Sequence, residues 1–308
     1  MGQQDQQNHQ SGTQITVDMQ PDLTWLLESQ PLMNATQEIT LFEPKSVGFK
    51  MGNTCNQSYT YPAQPAYRLG KQFEDCVACL LQGAENYHIE HRNLVIQTPA
   101  RTIGELDLIY QNPRQQVVHL ELAIKFYLLR KKGTQLADFI GPAGHDRLDL
   151  KWDRLRHHQL PLSQNEEVVN FLTQQKIPLP THRQLLLTGM LFYAYENWQT
   201  TTIEGLNVNP QHQRGWWLTH QELELLQHIY GAQRAFIILP KWHWIGGPRH
   251  YCEPQPIVYS ELWLRVTADP WPNMVLVYER KDDHQPWQFK NRGLVIEGEI
   301  NKPQKNPR

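Results

Sequence analysis

The sequence predicts an α/β protein: a mixed β-sheet flanked by helices, with a core in residues 65–160 and an α/β extension in residues 161–301. Three observations predict it. Two strand-like runs lie in the middle of the chain, Gly104-Glu105-Leu106-Asp107-Leu108-Ile109-Tyr110 and His119-Leu120-Glu121-Leu122-Ala123-Ile124-Lys125-Phe126-Tyr127, with a turn at Asn112-Pro113 between them. Both carry apolar residues on their two faces, the pattern of central strands covered by helices. A helical period precedes them, Leu69, Phe73, Val77 and Leu80, forming the buried stripe of a helix over residues 66–81. Beyond residue 164, short apolar runs alternate with helical patterns.

Taken in order, residues 1–20 are Gln-rich and polar and read as a disordered tail, as do residues 302–308. Residues 21–64 supply a short helix at Pro21-Asp22-Leu23-Thr24-Trp25-Leu26-Leu27 and a Pro-rich loop over residues 53–65, packed on the core. After the helix over 66–81 comes a strand over 87–97, with Leu94-Val95-Ile96 as its apolar part, and then the two central strands. Gly141-Pro142-Ala143-Gly144 makes a loop before a helix over 146–159, whose apolar stripe is Leu148, Trp152 and Leu155. The extension holds a helix over 167–174, a strand over 185–195, and Gly215-Trp216-Trp217-Leu218. Thr219-His220-Gln221-Glu222 is a capping box that opens a helix to residue 230. A strand over 235–239 stops at Pro240; a helix over 259–266 and strands over 274–278 and 293–300 follow.

The central strands carry charge where burial should forbid it. Glu105 and Asp107 share one face; His119, Glu121, Ala123 and Lys125 share a face of the next strand. Buried charges are costly unless paired or metal-bound. Two carboxylates can hold a hard divalent cation, and a lysine beside them can bind a phosphate or orient a water, a combination suited to phosphodiester hydrolysis. Acids that merely bridge to Arg or Lys remain a structural alternative. Glu74 sits at the border of its helix's apolar stripe, either solvated or turned toward the sheet. Arg147, Lys151, Arg154 and His158 recur at three- and four-residue spacing: a solvated face paired with Asp149 and Asp153, or a row of cations for a nucleic-acid backbone. Cys76-Val77-Ala78-Cys79, ahead of His88 and His91, reads as buried core cysteines, with zinc as the alternative.

The run Gly104-Glu105-Leu106-Asp107-Leu108-Ile109, followed by a Glu/Lys strand, resembles the PD-(D/E)XK nuclease superfamily over residues 65–160. Arg68-Leu69-Gly70-Lys71-Gln72-Phe73-Glu74, the run Glu121 to Leu128, Gly141-Pro142, Asp146-Arg147-Leu148 and Gly215-Trp216-Trp217 resemble, from about residue 20 onward, an uncharacterised bacterial family, domain of unknown function 1853, assigned to that superfamily. The resemblance implies a nuclease-like core and a metal-dependent nuclease. Asp107 and Glu121 would hold Mg²⁺ or Mn²⁺, Glu74 would be a possible third acid, and Lys125 would orient the attacking water. DNA or RNA is the implied partner, along Arg147, Lys151, Arg154 and His158. The chain departs from the superfamily pattern at one point. Glu121 and Lys125 are separated by three residues, about 13 Å along a strand, and Ala123 stands where an acid is expected. A non-catalytic nucleic-acid-binding or interaction module on a degenerate nuclease fold is the alternative.

Composition narrows the classes. A net charge of −2 gives no global attraction to nucleic acid, so any such surface is local. Four cysteines without a signal peptide point to a reducing cytoplasm. No run approaches the roughly 18 apolar residues of a membrane span. Ten tryptophans are many, and some stand in exposed-looking runs such as Lys241-Trp242-His243-Trp244.

Overall fold

The strand-forming runs assemble into one mixed sheet. The structure, a computed structural model, describes residues 14–50, 58–62, 69–99, 101–227 and 233–298. In chain order the elements are β1 (Gln14–Asp18), α1 (Gln20–Glu28), β2 (Ser58–Pro62), α2 (Leu69–Gln82), β3 (His88–Gln97), β4 (Thr102–Gln111), β5 (Val117–Leu129), β6 (Phe139–Ile140), α3 (Leu148–Arg154), α4 (Glu166–Gln174), β7 (His182–Ala194), β8 (Arg214–Thr219), β9 (Gln233–Leu239), α5 (Tyr259–Thr267), β10 (Asn273–Arg280) and β11 (Gln288–Ile296). The large sheet runs β3-β4-β5-β7-β8-β11-β10-β9, with β6 beside β5; β1 and β2 form a separate antiparallel pair. β5, β7, β8 and β11 are mutually parallel in sequence, and the pairs at either end are antiparallel.

Alternation in β5 divides the core as the sequence requires. Leu120, Leu122, Ile124, Phe126 and Leu128 face α1 and α2, among Trp25, Phe73 and Val77. Ala123, Tyr127 and Leu129 face Leu148, Trp152 and Leu155 on the opposite side. Val168 and Leu172 of α4 cover Leu106 and Ile109, and α5 covers the far half through Leu262 and Val266. Asn165 caps α4 by accepting the Glu167 N–H at 2.9 Å. Gly189 of β7 lies opposite Lys125 with φ of +137°, and a Cβ there would sit 1.8 Å from the Lys125 carbonyl oxygen. Only glycine fits that close approach to the site strand.

Several elements differ from the sequence reading. Residues 14–18 of the expected tail form β1, because Ile15-Thr16-Val17 is a β-branched run that outweighs the polar composition around it. Residues 58–62 of the expected loop form its partner β2. Met19 of the expected tail is buried in the core and Gln20 opens α1, while residues 1–13 and 302–308 lie outside the described residues. The helix expected over 146–159 is α3 followed by a π-helical turn, Leu155–Gln159, and a 3₁₀ turn, Leu160–Gln164. The buried residues step from Leu155 to Leu160, five positions, which is the reach of a π turn rather than an α turn. The capping box at Thr219 forms, with Glu222 Oε2 accepting from the Thr219 N–H and hydroxyl at 2.8 Å. It opens a 3₁₀ turn, His220–Leu226, whose buried Leu223 and Leu226 match three residues per turn; residues 228–230 of the expected helix lie outside the described residues. Cys76 is buried and outside any disulfide, whereas Cys79 is disulfide-bonded, so this CxxC is no metal pair and Cys79 departs from a fully reduced set. Among the described residues no helix is long and apolar enough to cross a membrane.

Candidate active site

The site is a notch in the sheet. β4 stays with β3 along its length but pairs with β5 only from Leu108 opposite Leu120 to Gln111 opposite Val117. β6 pairs with β5 only at Leu128 and Leu129. Among the described residues, β5 has no ladder partner on this side between those two stretches. Asp107 stands at the point of divergence. Its Oδ2 accepts the Leu122 N–H at 2.8 Å, replacing the main-chain partner that β4 has withdrawn.

Glu121 lies beside Asp107 and is fully buried. His119, two residues earlier and therefore on the same face, meets Glu121 Oε1 through Nε2 at 2.9 Å. Its Nδ1 lies 3.1 Å from Ser163 Oγ. Burial pushes the His119 imidazole down to about 4, so it is neutral near pH 7. It then donates from Nε2 to the carboxylate and accepts the serine hydroxyl proton at Nδ1. Gln159 Nε2 donates to Glu121 Oε2 at 2.8 Å, and Gln159 Oε1 accepts from Lys151 Nζ at 2.9 Å.

Two like charges out of water cannot both ionise freely. Desolvation, and then the charge of Glu121, push the Asp107 carboxyl up to about 7. Desolvation also raises Glu121, to about 7, against the opposing pull of Lys151. Lys151 is itself held below its ordinary value, first by burial and then by Lys125. The centre is thus two carboxyls short of positive charge, with one desolvated ammonium acting on both.

The residues expected from sequence divide accordingly. Asp107 and Glu121 come together. Lys125 shares their strand face, but its Nζ donates to Asp146 Oδ2 at 2.6 Å, while Tyr127 OH donates to Asp146 Oδ1 at 3.2 Å. Lys151, expected among the backbone-binding cations, is tied to Glu121 through Gln159, and its charge acts on both acids. Glu74 accepts from Asn93 Nδ2 at 2.7 Å and lies 3.6 Å from Lys71 Nζ, although its charge reaches Asp107. Arg147 is bound to Asp149. Arg154 and His158, with Arg101 and His157, line a cleft of about 450 Å³ over Glu105, Asp107 and Gln159. His119, Gln159 and Ser163 were not expected. Alternation makes His119 legible as a neighbour of Glu121. Gln159 is not, because eight residues on an α-helix leave it about 80° from Lys151, and only the π turn closes that angle.

The donor set fits a hard divalent cation. Asp107 and Glu121 offer oxygen, their mutual repulsion is relieved by positive charge, and each carboxylate keeps acceptor capacity beyond its hydrogen bonds. Among the described residues no group of three or more His, Cys, Asp or Glu converges on one point. Water and substrate phosphate oxygens would complete the coordination, as is usual for Mg²⁺ held by one or two carboxylates.

No curated protein and no solved structure matches the chain. The profile of a domain of unknown function, DUF1853, matches residues 21–296. The chain belongs to the DUF1853 family.

Proposed function

We propose that the protein is a divalent-metal-dependent nuclease, hydrolysing phosphodiester bonds in DNA or RNA on a core of the PD-(D/E)XK type. The observation that carries this reading is the Asp107–Glu121 pair, desolvated, like-charged and placed at the notch between β4 and β5. The element order supports it: α2, the antiparallel β3-β4-β5, helices, then β7 parallel to β5. Asp107 and Glu121 would hold Mg²⁺ or Mn²⁺, which when bound would polarise the scissile phosphate and lower the pKa of a water. Lys151 takes the part that spacing alone gives to Lys125. Its ammonium is linked to Glu121 through Gln159, and its depressed pKa suits it to orient the attacking water or pass a proton. His119 fixes the Glu121 carboxylate, and Ser163 fixes His119. Arg154 and His158 meet backbone phosphates in the cleft, while Lys125 and Asp146 form a second, outer pair.

The test is cleavage of labelled oligonucleotides with Mg²⁺ or Mn²⁺ by wild type, Asp107→Asn and Lys151→Met. Metal-dependent cleavage lost in both variants supports the reading; cleavage that survives Asp107→Asn ends it. One observation favours a second reading, a non-catalytic binding module. Both Glu121 oxygens already accept protein hydrogen bonds, and Ala123 leaves the expected acid position without a ligand. That module would bind the same oligonucleotides without cutting them.

A further inference from the structure

We infer that the cleft beside Asp107 receives the terminal nucleoside of a nucleic-acid strand that ends in a free hydroxyl, so that the site trims strands from an end. This rests on the nuclease reading and specifies its substrate. The cleft, of about 450 Å³, has the size of a small-molecule pocket. One wall is β4 from Ile103 to Asp107, about 13 Å along a strand. The other is the turn-rich segment from Arg154 to Asn165.

Contacts close the cleft at three places. Leu162 packs against Gly104, where a Cβ would stand 2.6 Å from Leu162 Cδ2, so the two walls touch. At the acids, the Gln159 amide is held on both sides: Nε2 donates to Glu121 Oε2, and Oε1 accepts from Lys151 Nζ. Away from the acids, Arg101 Nη2 meets Glu167 Oε1 at 3.2 Å and ties the start of β4 to α4. A strand that continued beyond both ends of the cleft would have to displace Gln159 and part that ion pair. A strand end fits between them.

Charge decides what that end carries. Arg101 is neutralised by Glu167, and His157 Nε2 lies 3.6 Å from Asp153 Oδ1. Arg154 is exposed, has no ion pair among the described residues, and its charge reaches Lys151. His158 adds charge only when protonated. Arg154 and a cation on the acids suffice for one phosphodiester, not for a run of them. Glu105 is the next carboxylate along the wall. It too is exposed and has no ion pair among the described residues, and its charge reaches Glu121. A second phosphate in the cleft would meet that charge, and like charges brought together cost free energy. A nucleoside brings none. Its rings suit Ile103, Pro161 and Leu162, and its terminal hydroxyl can donate to the Glu105 carboxylate. Hydrolysis there joins the oxygen of a water to phosphorus and breaks one P–O ester bond, and the leaving oxygen takes a proton. The product is the terminal nucleoside or its monophosphate, according to which ester bond breaks.

The test uses the full chain and three forms of one internally labelled single strand: linear with hydroxyls at both ends, linear with phosphates at both ends, and closed into a circle. Binding is read by anisotropy with Ca²⁺, and cleavage with Mg²⁺ or Mn²⁺. The hydroxyl-ended strand should bind most tightly and shorten stepwise from an end. The circle should stay intact while the linear strand is consumed. Terminal phosphates should weaken binding roughly tenfold or more, the cost of one like-charge contact. Glu105→Gln should narrow that ratio, which a structural role for Glu105 would not do. If the circle is cut as fast as the linear strand, the terminal-nucleoside assignment is overturned and the nuclease reading stands. The same follows if strands are cut but the phosphorylated ends bind as well as the hydroxyl ends, or if Glu105→Gln leaves the ratio unchanged. If wild type cuts none of the three, the assignment and the nuclease reading fall together.

Discussion

The two ends of the large sheet treat buried charge in opposite ways. In the half built from β8 to β11, Arg234 Nη2 meets Glu279 Oε1 at 2.8 Å across adjacent strands, and Arg234 Nη1 adds Tyr195 OH at 3.2 Å and the Leu226 carbonyl at 3.3 Å. β9 and β10 pair without interruption from Gln233 opposite Arg280 to Leu239 opposite Met274. In the half built from β3 to β7, the ladder breaks, and the charges brought to the break are two carboxyls. Opposite charges on an intact ladder hold strands together. Like charges at a broken one destabilise the fold that carries them, and a bound cation removes that cost. The difference separates a structural pair from a site, and each of the following variants bears on it.

The largest expected effect is on chemistry. Glu121→Gln should lower metal-dependent cleavage by at least about 100-fold, with the folded fraction, read by circular dichroism, unchanged. Next comes stability at the other end. Arg234→Ala leaves the half-buried Glu279 without its partner and should cost about 1–3 kcal/mol in urea unfolding, with cleavage per folded molecule preserved. If Arg234→Ala instead removed activity, the two ends of the sheet would not be separable. Lys151→Met should slow cleavage by roughly 100-fold, and Lys125→Met by less, since Lys125 is committed to Asp146.

A smaller effect is set by pH. Asp107 and Glu121 are held above their unfolded values of 3.8 and 4.5, each to about 7. Between those limits the folded chain retains protons that the unfolded chain has released, so these groups lower stability as pH rises through the window. In chelator, the melting temperature should therefore fall between pH 5 and pH 8, and Mg²⁺ should restore more of it at pH 8 than at pH 5. Asp107→Asn can still accept the Leu122 N–H, so it should flatten the pH dependence without loss of stability at pH 8. The smallest effect belongs to the cleft rim, where Arg154→Ala should reduce the salt slope of binding by about one phosphate's worth.

Much of this contrast is written locally. Strand alternation predicts β4 and β5, puts His119 and Glu121 on one face, and marks Asp107 as a charge among apolar neighbours. Helical period predicts α2 and α5 within a few residues. Pairing across the sheet is not local. Nothing in the chain from Gly104 to Tyr127 says that β4 joins β5 only from Leu108 onward, so the notch could not be read. The placement of Lys151 escaped for a related reason. Spacing along one strand favours Lys125, whereas Lys151 is linked to Glu121 from α3 through Gln159, which arrives through a π turn that an α-helical period cannot anticipate. Asp22 looked like a residue of a short amphipathic helix; its Oδ1 accepts the Gly246 N–H at 2.7 Å, a contact that spans most of the chain length.

The most direct test of the central claim, that Asp107 and Glu121 form a cation site rather than a structural pair, is calorimetric titration with Mg²⁺ and Mn²⁺ near pH 8 on wild type and Asp107→Asn. The predicted result is saturable binding by wild type, accompanied by proton release that grows as pH is lowered toward 7, and no binding by the variant. Equal heats from both proteins, or none from wild type while Asp107→Asn unfolds more easily, would contradict it.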